Sequence, residues 1–212
     1  MLGDLSKKYE SNGDPGTISS GWGDAGGKSY GTYQLASKTG SVHHYIDWLI
    51  ANGYWFGSKL AEYPVGSIAF DDVWKFLANS GNRDDFAESQ HKYIEATYYN
   101  TAVKFLRNAM FNIEKHSDTM KDVVWSRAVQ YGAGFVVEMF EDAAISLGYP
   151  NLSYVDDKSF DRDMIKAIYM EVCSTPEWTN GSPDLREGLY VRFMNECEEA
   201  LDMLDEEEED EQ

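Results

Sequence analysis

The stretch YESNGDPGTISSGWGDAGGKSYGTYQLAS, from Tyr9 to Ser37, interrupts an otherwise helical pattern close to the start of the chain. It is dense in glycine, serine and threonine, and it has no aliphatic run long enough for a core strand. Its Asn-Gly and Asp-Pro pairs end a short helix that we predict over residues 4–11. The alternation in KSYGTYQLA predicts a brief β-hairpin. We therefore expect a polar loop with a small sheet.

Apolar residues recur at helical spacing over the rest of the chain, and two breaks are predicted, near Tyr99 and at residues 132–134. The predicted helices cover residues 41–53, 69–81, 84–112, 117–148, 160–172 and 185–204. The fold class that follows is α+β and mostly α, with a small β/loop element near the N-terminus. We expect one domain over residues 1–205 and a disordered acidic tail over residues 206–212.

Composition and charge narrow the function classes. Hydrophobic residues make up 42% of the 212 residues and aromatic residues 14%, which is typical of a globular protein. The net charge is −19, and eleven carboxylates lie between Glu196 and Glu211. Since no cluster of lysine and arginine is present to neutralise phosphates, nucleic acid is not an expected partner.

The N-terminus has no apolar signal region, and no run approaches the ~20 apolar residues of a membrane-spanning helix. We expect a soluble chain without membrane insertion. Cys173 and Cys197 have no metal-binding spacing, and His43 and His44, as neighbours in a helix, do not face the same way. The sequence therefore predicts neither a metal site nor a cofactor.

Glu10 is the strongest candidate for acid catalysis. It falls at the predicted helix end, where the negative end of the helix dipole disfavours an ionised carboxylate, as a general acid near neutral pH requires. Asp24 follows fourteen residues later in the loop. Glycosidases use such a pair, one carboxyl at the glycosidic oxygen and a second that holds a water or stabilises positive charge.

The loop also carries side chains suited to sugars. Trp22 is flanked by glycines and has no local core to fill, so we expect it to stack on a sugar ring. The remaining candidates for contacts with sugar hydroxyl and acetamido groups are Ser29, Tyr30, Tyr33 and Gln34.

Three motifs resemble those of a known superfamily. ESNGDPGTIS followed by YGTYQLASKTG resembles the first two motifs of the lysozyme-like transglycosylases, and SGWGDAGGKSYGTYQL is similar to goose-type lysozymes. VVWSRAVQYGAG is a counterpart of the third motif, so the resemblance spans residues 5–135. The run is also similar to lysozyme-like domains of phage lysins and tail-associated wall hydrolases.

The resemblance implies that Glu10 protonates the leaving oxygen and that Asp24 positions a water. Gln34 would contact the sugar or the catalytic region, and Gln130 and Tyr131 would orient the substrate. The goose-type pattern has a second aspartate where this chain has Ala36, so the water-positioning role falls to Asp24 alone. The third motif also departs, with Gln-Tyr-Gly in place of Tyr-Asn-x-Gly.

The function implied is cleavage of the β-1,4 bond between N-acetylmuramic acid and N-acetylglucosamine in peptidoglycan, by water or by the sugar's own hydroxyl. We expect a monomeric phage endolysin or virion-associated lysin that is present in the host cytoplasm before release to the cell wall. It would reach the wall through a membrane lesion, in a virion or through a secretion machine. Two alternatives stay open: a chitosanase-like glycosidase, and a non-catalytic structural or wall-recognition protein of the same fold.

Overall fold

The computed structural model describes residues 2–5, 14–22, 26–175 and 183–210. The chain divides into two compact units. We call residues Lys7–Thr97 the loop unit, and Met1–Ser6 together with Tyr98–Gln212 the acidic unit. The sequence predicted one domain over residues 1–205, and that assignment stays a prediction.

The loop unit begins with the predicted hairpin. Strands β1 (Ser29–Tyr30) and β2 (Leu35–Ala36) are antiparallel, with Ser29 opposite Ala36. Four helices follow: α1 (Ser41–Ala51), α2 (Trp55–Ala61), α3 (Ile68–Asn79) and α4 (Arg83–Ile94). Periodicity predicted α1, α3 and α4, whereas the short helix α2 was not predicted.

Aromatic side chains form the core of the loop unit. Trp74 of α3 is fully buried, and its ring lies 4.9 Å from Phe86 of α4 and 5.2 Å from Tyr30 of β1, measured between centroids. Tyr45 of α1 completes the group at 5.9 Å from Trp74. Because edge and tilted contacts between rings add to the burial of apolar area, this cluster fixes the hairpin on α3 and α4.

A π-helical turn, Glu95–Tyr99, separates α4 from α5 (Asn100–Asn108) and confirms the predicted break. The acidic unit continues with α6 (Asp118–Tyr131), α7 (Val136–Ser146), α8 (Asp161–Ser174) and α9 (Pro183–Asp210). Short 3-10 turns lie at Ile113–Lys115, Leu152–Tyr154 and Lys158–Phe160. The second predicted break separates α6 from α7.

The end of α9 differs from the sequence prediction of a disordered tail from residue 206. The helix continues to Asp210. Glu207 accepts hydrogen bonds from the backbone N–H groups of Asp118 and Thr119, at 3.0 and 2.6 Å. A carboxylate is favourable at the first turn of a helix, where N–H groups lack partners and the dipole is positive. The acidic end of α9 therefore packs against the first turn of α6.

The predicted fold class is confirmed: the described residues are mostly helical, with a small two-stranded sheet near the N-terminus. Over the part of the chain that the structure describes, none of the helices combines the length and apolar character needed to span a bilayer.

Candidate functional site

The two predicted catalytic carboxylates, Glu10 and Asp24, lie outside the described residues. Their roles stay predictions. The structure does describe the chain on either side of Asp24 and the region that follows Glu10, which are residues 14–22 and 26–40. The candidate site is therefore built from the loop that carries these positions.

The loop runs back along its own hairpin. Ile18 pairs with Tyr30 in an antiparallel bridge, and the N–H of Gly31 donates to the carbonyl of Thr17 at 2.8 Å. Ser29 donates its N–H to the Ser19 hydroxyl at 2.7 Å. These bonds extend the two-stranded sheet by one short segment, so the glycine-rich sequence has a defined backbone here.

Two buried side chains hold the beginning of the loop. The indole N–H of Trp74 and the amide of Gln90 both donate to the Pro15 carbonyl, at 2.9 and 3.1 Å. The Oε1 atom of Gln90 accepts from the N–H of Thr32 at 2.9 Å. Gln90 is 1% exposed, so these polar groups are paired in the absence of competing water.

Gly31 makes this arrangement possible. Its φ is +75°, which favours glycine, and a Cβ there would lie 2.3 Å from the Gln90 Oε1 atom and 3.0 Å from the Trp74 ring. Any larger residue would displace the side chains that hold the loop.

The structure changes the interpretation of Tyr30, which was predicted to contact a sugar. Tyr30 is fully buried, and its hydroxyl donates to Asp71 at 2.6 Å. Asp71 also accepts from the Lys28 ammonium at 2.5 Å. Burial, followed by the bond to Asp71, raises the pKa of Tyr30 well above its usual range. Tyr30 therefore supports the loop from within the core, so the prediction that it contacts a sugar was wrong.

Tyr33, also predicted to contact a sugar, is 6% exposed. Its hydroxyl lies 2.8 Å from Nδ1 of His91 on α4. Because the ring is buried and its polar tip faces a helix of the same unit, Tyr33 fastens the hairpin turn to α4.

Three other predicted ligand-binding residues are accessible. Trp22 is 94% exposed, and Ser29 and Gln34 are half-buried. Gln34 has a φ of +52°, a conformation that is uncommon outside glycine, and its amide donates to the Gly31 carbonyl at 3.2 Å. Strained backbone of this kind is found at binding sites held by their surroundings. These three residues are the strongest candidates for ligand contact on the described loop.

The third motif lies in the acidic unit, at the end of α6. Gln130 and Tyr131 are half-buried. Arg127, one turn earlier, is fully buried and lies 5.8 Å from the ring centroid of Tyr131. Burial is the main cause that raises the pKa of Tyr131 to about 12, and the Arg127 charge opposes it. The predicted roles of Gln130 and Tyr131 stay predictions.

Arg127 belongs to a buried charged cluster. It donates to Glu196 of α9 at 2.8 Å, and Glu196 also accepts from the hydroxyls of Ser126 and of Tyr169, the latter at 3.0 Å. The guanidinium stacks on the rings of Tyr169 and Phe193, at 4.9 and 5.0 Å from their centroids. This cluster joins α6, α8 and α9 within the acidic unit.

Metal-binding groups and thiols add no further site. Within residues 2–5, 14–22, 26–175 and 183–210, no three His, Cys, Asp or Glu side chains are grouped to hold a metal ion. Cys173 and Cys197 are free thiols, and burial raises the pKa of Cys197 to about 11, which suppresses its reactive thiolate form.

Sequence reasoning placed neither Asp71 nor Gln90 at the candidate site. Asp71 lies in the first turn of α3, and Ser67 caps that helix by accepting from the N–H of Phe70. Gln90 lies four residues after Phe86 on the buried face of α4. A polar residue inside an apolar helical stripe is the signal that could have identified it, since such a group needs a buried partner.

Comparison with known proteins gives two concordant matches. Residues 2–197 match the family described as type VI secretion system spike protein VgrG3-like, C-terminal. The chain is also 38% identical over 207 residues to the type VI secretion system spike protein VgrG3 of Vibrio cholerae serotype O1. That alignment covers 95% of this chain and 19% of the relative, so the chain spans about a fifth of the relative's length.

These matches correct the sequence-based identification. The assignment to goose-type lysozymes, lytic transglycosylases or phage lysins was wrong, because both matches are to type VI secretion spike proteins. The expectation that the chain is a phage endolysin or a virion-associated lysin was wrong for the same reason. The resemblance rested on three short motifs spread over residues 5–135, whereas the family match covers residues 2–197. The chain belongs to the VgrG3-like C-terminal family of type VI secretion system spike proteins.

Proposed function

We propose that this chain serves as the C-terminal domain of a type VI secretion spike, with the secretion machine as its partner and the bacterial cell wall as its target. The family match over residues 2–197 carries the assignment to the spike, and the exposed Trp22 on the loop supports the wall as target. Before secretion the chain would be in the producing cell, and afterwards at the wall. The test is to follow the chain in culture supernatant with the secretion system active and inactivated. Equal release in both strains would contradict the proposal.

At the wall, the chain would bind peptidoglycan glycan strands through the described loop. Exposed Trp22 supports this proposal, because a solvated indole on a held loop offers a flat apolar face to a sugar ring. Co-sedimentation with insoluble peptidoglycan should show about tenfold weaker binding for Trp22→Ala, in line with the loss of one stacked ring. Trp55→Ala is the matched control, since Trp55 is 55% exposed on α2 of the same unit. Equal binding by the two variants would exclude Trp22 as an anchor.

A catalytic version of the same function is favoured by two of the carboxylates in the loop sequence, Glu10 and Asp24. Glu10 would act as general acid on the β-1,4 bond, and Asp24 would position the water or stabilise positive charge. Digestion of purified peptidoglycan by wild type, Glu10→Gln and Asp24→Asn, followed by mass spectrometry, tests this. Reducing ends would indicate hydrolysis, and 1,6-anhydro ends would indicate attack by the sugar's own hydroxyl.

Two results would redirect the proposal. Full activity of Glu10→Gln would remove Glu10 from the site. Binding without cleavage by the wild type would leave wall recognition as the function. Cleavage of purified chitosan in place of peptidoglycan would favour the chitosanase-like alternative.

A further inference from the structure

We propose that Gln90 is a positioning residue, which together with Trp74 fixes the Pro15 carbonyl and thereby sets the geometry of the glycan-cleaving loop. The inference rests on the proposed cleavage of glycan strands by that loop. Neither side chain would touch the substrate: Gln90 is 1% exposed and Trp74 is fully buried.

The first argument is that one amide connects two distant parts of the loop. Gln90 donates through Nε2 to the Pro15 carbonyl at 3.1 Å and accepts through Oε1 from the Thr32 N–H at 2.9 Å. A glutamine amide is one of the few side-chain groups that presents a donor and an acceptor side by side. The beginning of the loop and its hairpin turn are therefore held at a fixed separation.

The second argument is that Pro15 receives two buried donors. The Trp74 indole donates to the same carbonyl at 2.9 Å, from a different helix. A carbonyl oxygen has two lone pairs, so both bonds can form together. Because α3 and α4 each supply one donor, the position of Pro15 is fixed by the core of the loop unit.

The third argument is the location of these contacts along the chain. Pro15 follows Glu10 by five residues, and Thr32 precedes Gln34 by two. The clamp formed by Gln90 and Trp74 thus acts on chain next to the candidate acid and next to a candidate ligand-binding residue. A small displacement of a catalytic group is enough to lower the rate strongly, even when binding is retained.

Two variants test the clamp, and each removes one of the two donors to the Pro15 carbonyl. Gln90→Glu keeps the acceptor for Thr32 but replaces the donor to Pro15 by an oxygen. Trp74→Phe keeps an aromatic ring in the core and removes the N–H. Each should lower kcat for a defined soluble peptidoglycan glycan by about tenfold or more, with KM within about threefold of wild type. The double variant should be little slower than the slower single one, because both changes act on the same carbonyl.

The controls separate positioning from stability. Lys92→Ala changes an exposed residue of the same helix, whose partner is Glu88, and should leave kcat unchanged. Ile46→Val removes one buried methylene from α1 of the same unit, so it lowers stability without touching the clamp. Thermal unfolding of every variant accompanies the kinetics. If Gln90→Glu does not fold, Trp74→Phe decides alone.

The outcomes are distinguishable. The positioning role alone is overturned if the folded clamp variants keep kcat within about twofold of wild type. It is also overturned if Ile46→Val, at matched stability, lowers kcat as much as the clamp variants do. Full activity of Glu10→Gln in the same assay, or an inactive wild type, overturns the proposed cleavage and the positioning role with it. If Glu10→Gln loses activity and both clamp variants lose kcat with KM retained, the result supports the proposed cleavage and the positioning role.

Discussion

The loop unit and the acidic unit differ in the buried polar contacts that stabilise each of them internally. In the loop unit, neutral groups of Gln90 and Trp74 pair with backbone. In the acidic unit, a fully buried ion pair of Arg127 and Glu196 joins helices. The loop unit has eight basic and eleven acidic residues, whereas the acidic unit has ten basic and twenty-six acidic residues.

This difference has a physical consequence. A neutral amide can be buried at modest cost when both of its sides are bonded, whereas a buried ion pair bears a large desolvation cost for each charge. Arg127 Nε and Nη1 and Glu196 Oε2 have no hydrogen-bond partner among the described residues. We therefore expect the acidic unit to lose more unfolding free energy than the loop unit when one member of a buried polar pair is removed. Three substitutions in the acidic unit measure the size of this loss.

The largest effect is expected for Arg127→Met. It leaves the Glu196 carboxylate buried without its counter-charge, which should cost about 3–5 kcal/mol of unfolding free energy. Urea denaturation measures the loss. The double variant Arg127→Met/Glu196→Leu should recover part of it, since no unpaired charge remains. Equal losses in the single and double variants would show that packing of the guanidinium, rather than charge pairing, dominates.

An intermediate and pH-dependent effect is expected for Asp122→Asn. Asp122 accepts from the N–H groups of Gly3 and Leu5, and burial raises its pKa while these bonds partly offset the shift. The folded protein thus keeps the proton to higher pH than the unfolded chain, whose aspartate pKa is about 3.9. Its contribution to unfolding free energy is greatest below that value and falls as pH rises through the folded pKa.

The stability of wild type relative to Asp122→Asn should therefore fall as the pH rises above about 4. Asp118→Asn is the matched control on the same helix. The hydrogen bond from Lys121 lowers the pKa of Asp118, so its contribution is present above the unfolded pKa and is lost as pH falls. Equal slopes of unfolding free energy against pH for the two variants would contradict these assignments.

The smallest effect is expected for Glu207→Gln. Glutamine keeps an acceptor for the N–H groups of Asp118 and Thr119 but removes the charge from the first turn of α6. We expect a loss of about 0.5–1 kcal/mol at low salt. The loss should shrink in about 1 M salt, where charges are screened over a few ångströms. A loss independent of salt would mean that geometry alone matters at this contact.

Much of the fold could be predicted from local patterns. The stripe of Val42, Tyr45, Ile46, Leu49 and Ile50 predicted α1, and the first four are buried, whereas Ile50 is 46% exposed. The alternation around Ser29 and Leu35 predicted the hairpin, because side chains of a strand alternate between faces. Trp74 and Trp125, which lie in the predicted helices over residues 69–81 and 117–148, are fully buried.

The candidate site was less accessible to prediction. Trp22 and Gln34 could be singled out from their neighbours, but burial of Tyr30 and Tyr33 could not, because tyrosine suits both a core and a sugar-binding face. The motifs around Glu10 also suggested a superfamily that the match over residues 2–197 replaced. Short glycine-rich motifs carry less information on ancestry than a pattern spread over the chain.

By itself, the sequence determined most of the helices, the hairpin, the acidic balance and the glycine-rich loop with its two candidate catalytic carboxylates, since each depends on neighbours within a few residues. Only the tertiary structure decided that Gln90 bonds Pro15 and Thr32, which are 75 and 58 residues away, and that Arg127 pairs with Glu196 across 69 residues. Such pairings form because a buried polar group must find a partner, and the fold alone brings that partner near.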